Sequence, residues 1–203
     1  MKKVLKRIGI CLLLTAGIWT WSVITDRVKL REELIRLHVV AASDSGEDQT
    51  LKLRVRDAVV ESLTEEMKNL TDTTEAMEYL QRILPQIENL AARVLRQAGC
   101  NDAVKVQLGL ESFSQRIYDT FTLPAGVYRS LRIVIGEGAG QNWWCVAYPS
   151  LCLPATSEGF EEAAQCAGFS ETMTAVLEGR EGYEIRFFLL ELLGKLENLL
   201  YRG

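Results

Sequence analysis

The chain has one histidine, His38, and only four prolines in 203 residues. A zinc site needs two close cysteine pairs or further histidines, and the spacing from Cys145 to Cys152 alone is no metal signature, so neither metal nor cofactor is expected. Few prolines, with no internal repeat and no low-complexity tract, exclude a linker array or a solenoid. Basic residues are sparse outside the extreme N-terminus. Of 23 lysines and arginines, Lys2, Lys3, Lys6 and Arg7 precede an apolar run, and the 19 that follow face 27 acidic residues, a net charge of −8. Such a body has no electrostatic footprint for nucleic acid or for anionic lipid head groups.

What the N-terminus does have is an uncharged run over residues 8–24. Its length and the lack of a polar stripe predict a membrane segment. The run continues through Trp19 and Trp21 where a cleaved signal would show an Ala-x-Ala-like site, which favours an uncleaved anchor. Four basic residues ahead, against mixed signs from Asp26 to Glu33 behind, predict a cytosolic N-terminus and an exported body. The chain then divides into residues 1–25, a signal or signal-anchor segment, and residues 26–203, one extracytoplasmic domain with length enough for a sizeable core.

Residues 34–42 alternate and then run apolar, as a strand does on entering a core. Asp44 or Ser45, with Glu47 or Asp48 three residues on, predicts a capping box, and Leu51, Val55, Val59, Leu63, Met67 and Leu70 form one stripe of a helix about six turns long. Asp72 and Glu75 repeat the pattern ahead of a second helix that Pro85 should kink and Gly99 should end. Strands are expected over residues 103–110, 128–135 and 142–148, and a last helix over about residues 184–200. The sum is an α+β domain, an antiparallel or mixed sheet packed by two long helices and a C-terminal helix, with all helices on one face as the economical arrangement.

The segment GEGAGQNWWCVAYPSLC, residues 136–152, concentrates the features that invite a functional reading. Its glycines do not open a helix, so they cannot bring a helix N-terminus to a phosphate; a hairpin tip requiring positive φ is the expectation. Outside the cytosol thiols pair, and Cys145 with Cys152 is the nearest pair in sequence, which leaves Cys100 and Cys166 either bonded to each other or free. His38 as base for a thiolate at Cys145 or Cys152 would need a third, orienting residue; a strand histidine with its ring packed and hydrogen-bonded is the simpler reading. Trp143 and Trp144 must point to opposite faces of a strand, so one can enter the core while the other is covered or presented as a contact.

Three stretches, RLHVVAASDS at residues 36–45, LPAGVY at residues 123–128 leading to GQNWWCV at residues 140–146, and IRFFLLELL at residues 185–193, together resemble the stage II sporulation protein R family of endospore-forming bacteria. The resemblance implies a sporulation signal made in the forespore and secreted into the space between its two membranes. It implies an activating partner role, not an enzyme: the target would be a membrane-embedded aspartic protease of the mother cell that cleaves the sigma-E precursor. Candidate partner contacts are Arg36, His38, Asp44, Asn142, Trp143 and Trp144. A secreted thiol enzyme and a structural envelope protein are the alternatives.

Overall fold

The computed structural model describes residues 2–149, 160, 161, 164, 165 and 167–201. In chain order these form α1 (Lys2–Glu33), β1 (Ile35–Val40), α2 (Gly46–Lys68), α3 (Thr73–Gln97), β2 (Val104–Phe113), β3 (Arg116–Ile117), β4 (Thr122–Leu123), β5 (Gly126–Ile135), β6 (Asn142–Tyr148), α4 (Glu171–Leu177) and α5 (Glu184–Tyr201). The class is α+β, in one domain, with a mixed sheet ordered β2-β5-β1-β6. β1 runs parallel to β5 and antiparallel to β6, and β2 is antiparallel to β5. A small β3–β4 ribbon stands beside it.

The N-caps form where the sequence places them, but neither box closes, because Asp48 accepts from the Ser43 hydroxyl and Glu75 from the Thr71 amide and hydroxyl. Ser45 accepts from the Asp48 N–H and Asp72 from the Glu75 N–H, each satisfying an orphan donor of the first turn. Gly99, at φ 81°, lets the Cys100 and Gly99 amides return to the Leu95 and Arg96 carbonyls, which ends α3. α3 continues through Pro85 as one helix.

Two sequence expectations change. Helices cover both faces of the sheet, not one. β1 is central and buried at every position, so its period-two alternation sends Ile35, Leu37 and Val39 into an aliphatic cluster with α2 and α3. Arg36 and His38 point to the other face, where α1, α4 and α5 pack with Phe113, Phe121, Leu123, Tyr128 and Val146. The glycine segment is also not a hairpin tip, because β1 lies between β5 and β6. It crosses the end of β1, with Ala139 and Gly140 amides donating to the Ala42 and Ala41 carbonyls and the Ala41 amide to Gln141. The positive φ of Gly136 and Gly138 does occur. Gly140 is needed for close approach: a Cβ there would lie 2.2 Å from the Ser43 carbonyl oxygen.

α1 is long and apolar enough to cross a membrane. Its side chains are exposed through Trp21, and then Val23, Asp26, Arg27 and Leu30, at helical spacing, turn into the domain. Arg27 donates to Glu197 of α5 and, at 2.9 Å, to the Tyr128 hydroxyl, which donates in turn to the Pro124 carbonyl. Glu191 accepts from the Ala125 N–H at 2.6 Å, and Gly194 lets α5 seat on that turn, since a Cβ would fall 1.7 Å from the Ala125 oxygen. The LPAGVY turn thus clamps the root of α1 to α5 and to β5.

Candidate partner-binding site

The site lies at the end of the sheet where β1, β6 and the glycine segment meet. Asn142 opens β6 opposite Val40, Trp143 opposite Val39 and Trp144 opposite His38. The two tryptophans face opposite sides. Trp143, 37 % exposed, lies under the Arg56 guanidinium of α2 at 4.2 Å. Trp144 is half-buried, stacked on the His38 ring at 5.4 Å with the Arg116 guanidinium 3.5 Å from its other side.

His38 is nearly fully buried. Its Nδ1 faces Glu111 Oε1 and its Nε2 faces Asn142 Oδ1, each at 2.8 Å. A ring carrying both N–H groups satisfies both oxygens. The Ser130 hydroxyl donates to the other Glu111 oxygen at 2.8 Å, and Arg132 lies 3.7 Å away. Burial pushes the Glu111 carboxyl up, but the hydrogen bond and charge of His38, with Ser130 and Arg132, outweigh it and hold the group below the ordinary carboxylate range. The trio of His, Ser and Glu does not form a nucleophile and base: both imidazole nitrogens are occupied, and the serine bonds to the carboxylate instead of the ring. The arrangement fixes Asn142 and Trp144 in place.

Arg36, one pleat back, is entirely buried. It donates to the Tyr118 hydroxyl at 2.9 Å and lies over the Phe113 and Tyr128 rings at 4.4 and 5.3 Å. Its Nε and Nη1 have no acceptor. On the far side of the segment, Asp44 accepts from the Gln141 N–H at 2.7 Å, and the buried Lys52 amine donates to the Gln141 carbonyl at 3.2 Å. Burial, helped by the charge of Arg56, pulls the Lys52 amine below its usual range against the pull of Asp44.

The structure therefore brings five sequence candidates into one neighbourhood and separates their roles. Asp44, Asn142 and Trp143 are reachable from solvent; His38 and Trp144 support them from below, and Arg36 lies deeper. Glu111, Ser130, Arg116 and Tyr118 belong to the cluster and were not anticipated. The signal for Glu111 was faint: an acid at a polar position of an alternating strand, with nothing local to say that the position faces His38. Cys145 is buried opposite Leu37, and Cys152 and Cys166 lie outside the described residues. Cys11 and Cys100 are free thiols. Among the described residues no group of three or more His, Cys, Asp or Glu side chains is placed to hold a metal ion.

No solved structure matches the chain. Stage II sporulation protein R of Bacillus subtilis (strain 168) is 34% identical over 187 residues, covering 83% of this chain and 84% of its own. Residues 31–158, which hold β1, the glycine segment and β6, match the family described as stage II sporulation protein R, and the chain belongs to that family.

Proposed function

We propose that this chain is an exported sporulation signal that activates a membrane-embedded aspartic protease of the mother cell, so that the sigma-E precursor is cleaved. Residues 1–25 are the anchor, and residues 26–203 form the domain in the space between the forespore membranes. The reading is supported above all by the sheet end. There a network of His38, Glu111 and Trp144 holds Asn142 and Trp143 at the surface beside Asp44, with both ring nitrogens of His38 engaged. Rigid aromatic and polar side chains presented this way suit recognition of a protein surface. A bond between Cys145 and Cys152 would pin the chain leaving β6, and the disulfide state of Cys145 is compatible with that pairing.

The docking of α1 bears on the anchor. Ser22 and Val23 already contact the domain, so cleavage behind residue 25 would strip packed side chains from the core, which supports retention of α1. The test is co-expression of the full chain with the protease and the sigma-E precursor in cells lacking the native signal, following precursor size by blot. Cleavage that requires the chain, and is lost with Asn142→Ala and Trp143→Ala at unchanged protein level, is the expected result. Cleavage indifferent to both variants would move the contact surface elsewhere, and no cleavage by a folded, exported chain would sink the reading.

A further inference from the structure

α5 carries an apolar stripe that nothing among the described residues covers. Ile185, Phe188, Leu192, Leu196 and Leu199 recur at three- and four-residue steps and are between 43% and 71% exposed, on the side of the helix opposite Leu190 and Gly194, which seat it on the sheet. Monomeric soluble domains rarely expose a contiguous stripe of this kind.

Its position relative to α1 indicates what covers it. Arg186 Nη2 donates to Ser22 Oγ at 2.7 Å and Arg186 Nε to Asp26 Oδ2 at 2.9 Å. Trp19 and Trp21, exposed on α1 just ahead of Ser22, are residues of the kind that mark a membrane–water interface. The first turn of α5 is therefore level with that interface. Eleven residues on, Glu197 meets Arg27 and Arg31. By helix rise this is about 16 Å along α5 against about 7 Å along α1, so α5 climbs slowly away from the plane that α1 crosses. Beside Phe188 an apolar groove of about 410 Å³, lined by Val176, Tyr183 and Phe187, extends the surface.

We propose that the exposed face of α5 rests on the outer surface of the bilayer that α1 crosses, with Ile185, Phe188 and Leu192 inserted among the lipid head groups. The contact is apolar, with charges of both signs at its edge, Glu181 and Glu184 beside Arg180 and Lys195, so no net charge draws it to an anionic surface. It rests on the reading of α1 as a retained membrane anchor, and it would hold the domain in one orientation, with the sheet end presented at a fixed height.

The test uses the full chain in phosphatidylcholine vesicles with Cys11, Cys100 and Cys166 replaced by serine and one nitroxide label at a time at residue 185, 188 or 192. Labels at Ile18 of α1 and at the exposed Arg93 of α3 serve as references. The expected result is that the three α5 labels favour oxygen over an aqueous nickel chelate several-fold more than the Arg93 label, with no change in high salt. Labels on α5 as open to the chelate as Arg93, with Ile18 inside the lipid, would overturn the proposal and leave the anchor standing. Labels shielded from both reagents would assign the stripe to a protein surface and overturn it as well. An Ile18 label in water would remove the anchor itself.

Discussion

The two faces of the sheet bury their side chains in different chemical company, and the largest fully buried ones, Arg36, Tyr128 and Phe160, are on the same face. Under α2 and α3 the cluster is aliphatic apart from Met67, Cys145 and Tyr148, with Lys52 and Thr73 the buried polar side chains of those two helices. The opposite face buries Asp26, Arg27, Arg36, His38, Ser130 and Glu191 among aromatic rings. Taking charge out of water costs free energy that pairing only partly returns, and Arg36 is left with two nitrogens, Nε and Nη1, that have no acceptor. A face selected for stability alone would be filled with carbon. The difference teaches that the aliphatic face carries the fold, while the charged face gives up stability to hold the root of α1, α5 and the start of β6 in fixed relation.

Removing one partner of a buried pair should break that relation most severely. Arg27→Ala leaves Glu197 facing the sheet without its main counter-charge and is expected to cost about 3–5 kcal/mol in thermal or urea unfolding of the detergent-solubilised chain; a cost under about 1 kcal/mol would mean that α1 is not locked to the domain. On the aliphatic face Leu131→Ala, fully buried, should cost about 2–5 kcal/mol through the cavity it leaves. Activation per folded molecule should nonetheless stay unchanged. Arg36→Met should do the reverse, raising stability by about 1 kcal/mol or more because a chain of similar volume needs no acceptor, while activation falls as Tyr118 loses its donor. A destabilised Arg36→Met variant would show that the cation is worth its burial and would dissolve the contrast.

Acid sharpens the comparison without a mutation. Burial raises the Glu197 carboxyl, but Arg27 and the Val127 amide outweigh it, and its folded pKa lies below the ordinary 4.5; Glu111 is depressed in the same way by His38. A depressed folded pKa contributes stability that is complete above 4.5 and lost as pH falls through the lower folded value. Urea midpoints should therefore drop below the carboxylate range, and drop less in Arg27→Ala. An equal acid slope in both proteins would assign the loss to other carboxylates.

Much of this was legible locally. Helix caps, stripes and period-two strands are rules of near neighbours, and Ser45, Asp72 and Gly99 act where those rules place them. Non-local facts were not. That β1 inserts between β5 and β6, turning an apparent hairpin tip into a crossing, depends on pairings about a hundred residues apart in sequence. Arg36 and His38 read as candidate partner contacts because the helices that bury them, α1 and α5, lie at the two ends of the chain. The docked face of α1 was hidden for a different reason: Val23 and Leu30 look the same whether they meet lipid or a domain, and only the partners of Asp26 and Arg27 decide.

The smallest effect on stability falls where the faces meet, at Trp143 and Trp144 on the edge strand β6. Trp144 is stacked between His38 and Arg116, so its loss would loosen the charged face itself. Trp143 touches Arg56 from an exposed position, a contact worth about 0.5–1 kcal/mol, and Trp143→Ala should lower stability by no more than that. If its ring is an anchor for the protease, truncation should still reduce precursor cleavage by about 2 kcal/mol of binding, on the order of thirtyfold at limiting protein. Comparison with Leu131→Ala is then decisive, because that variant unfolds more readily yet should signal normally when folded. Should both variants lower cleavage only in proportion to the folded fraction, the sheet end would be ordinary surface and the division of labour between the faces would be structural alone.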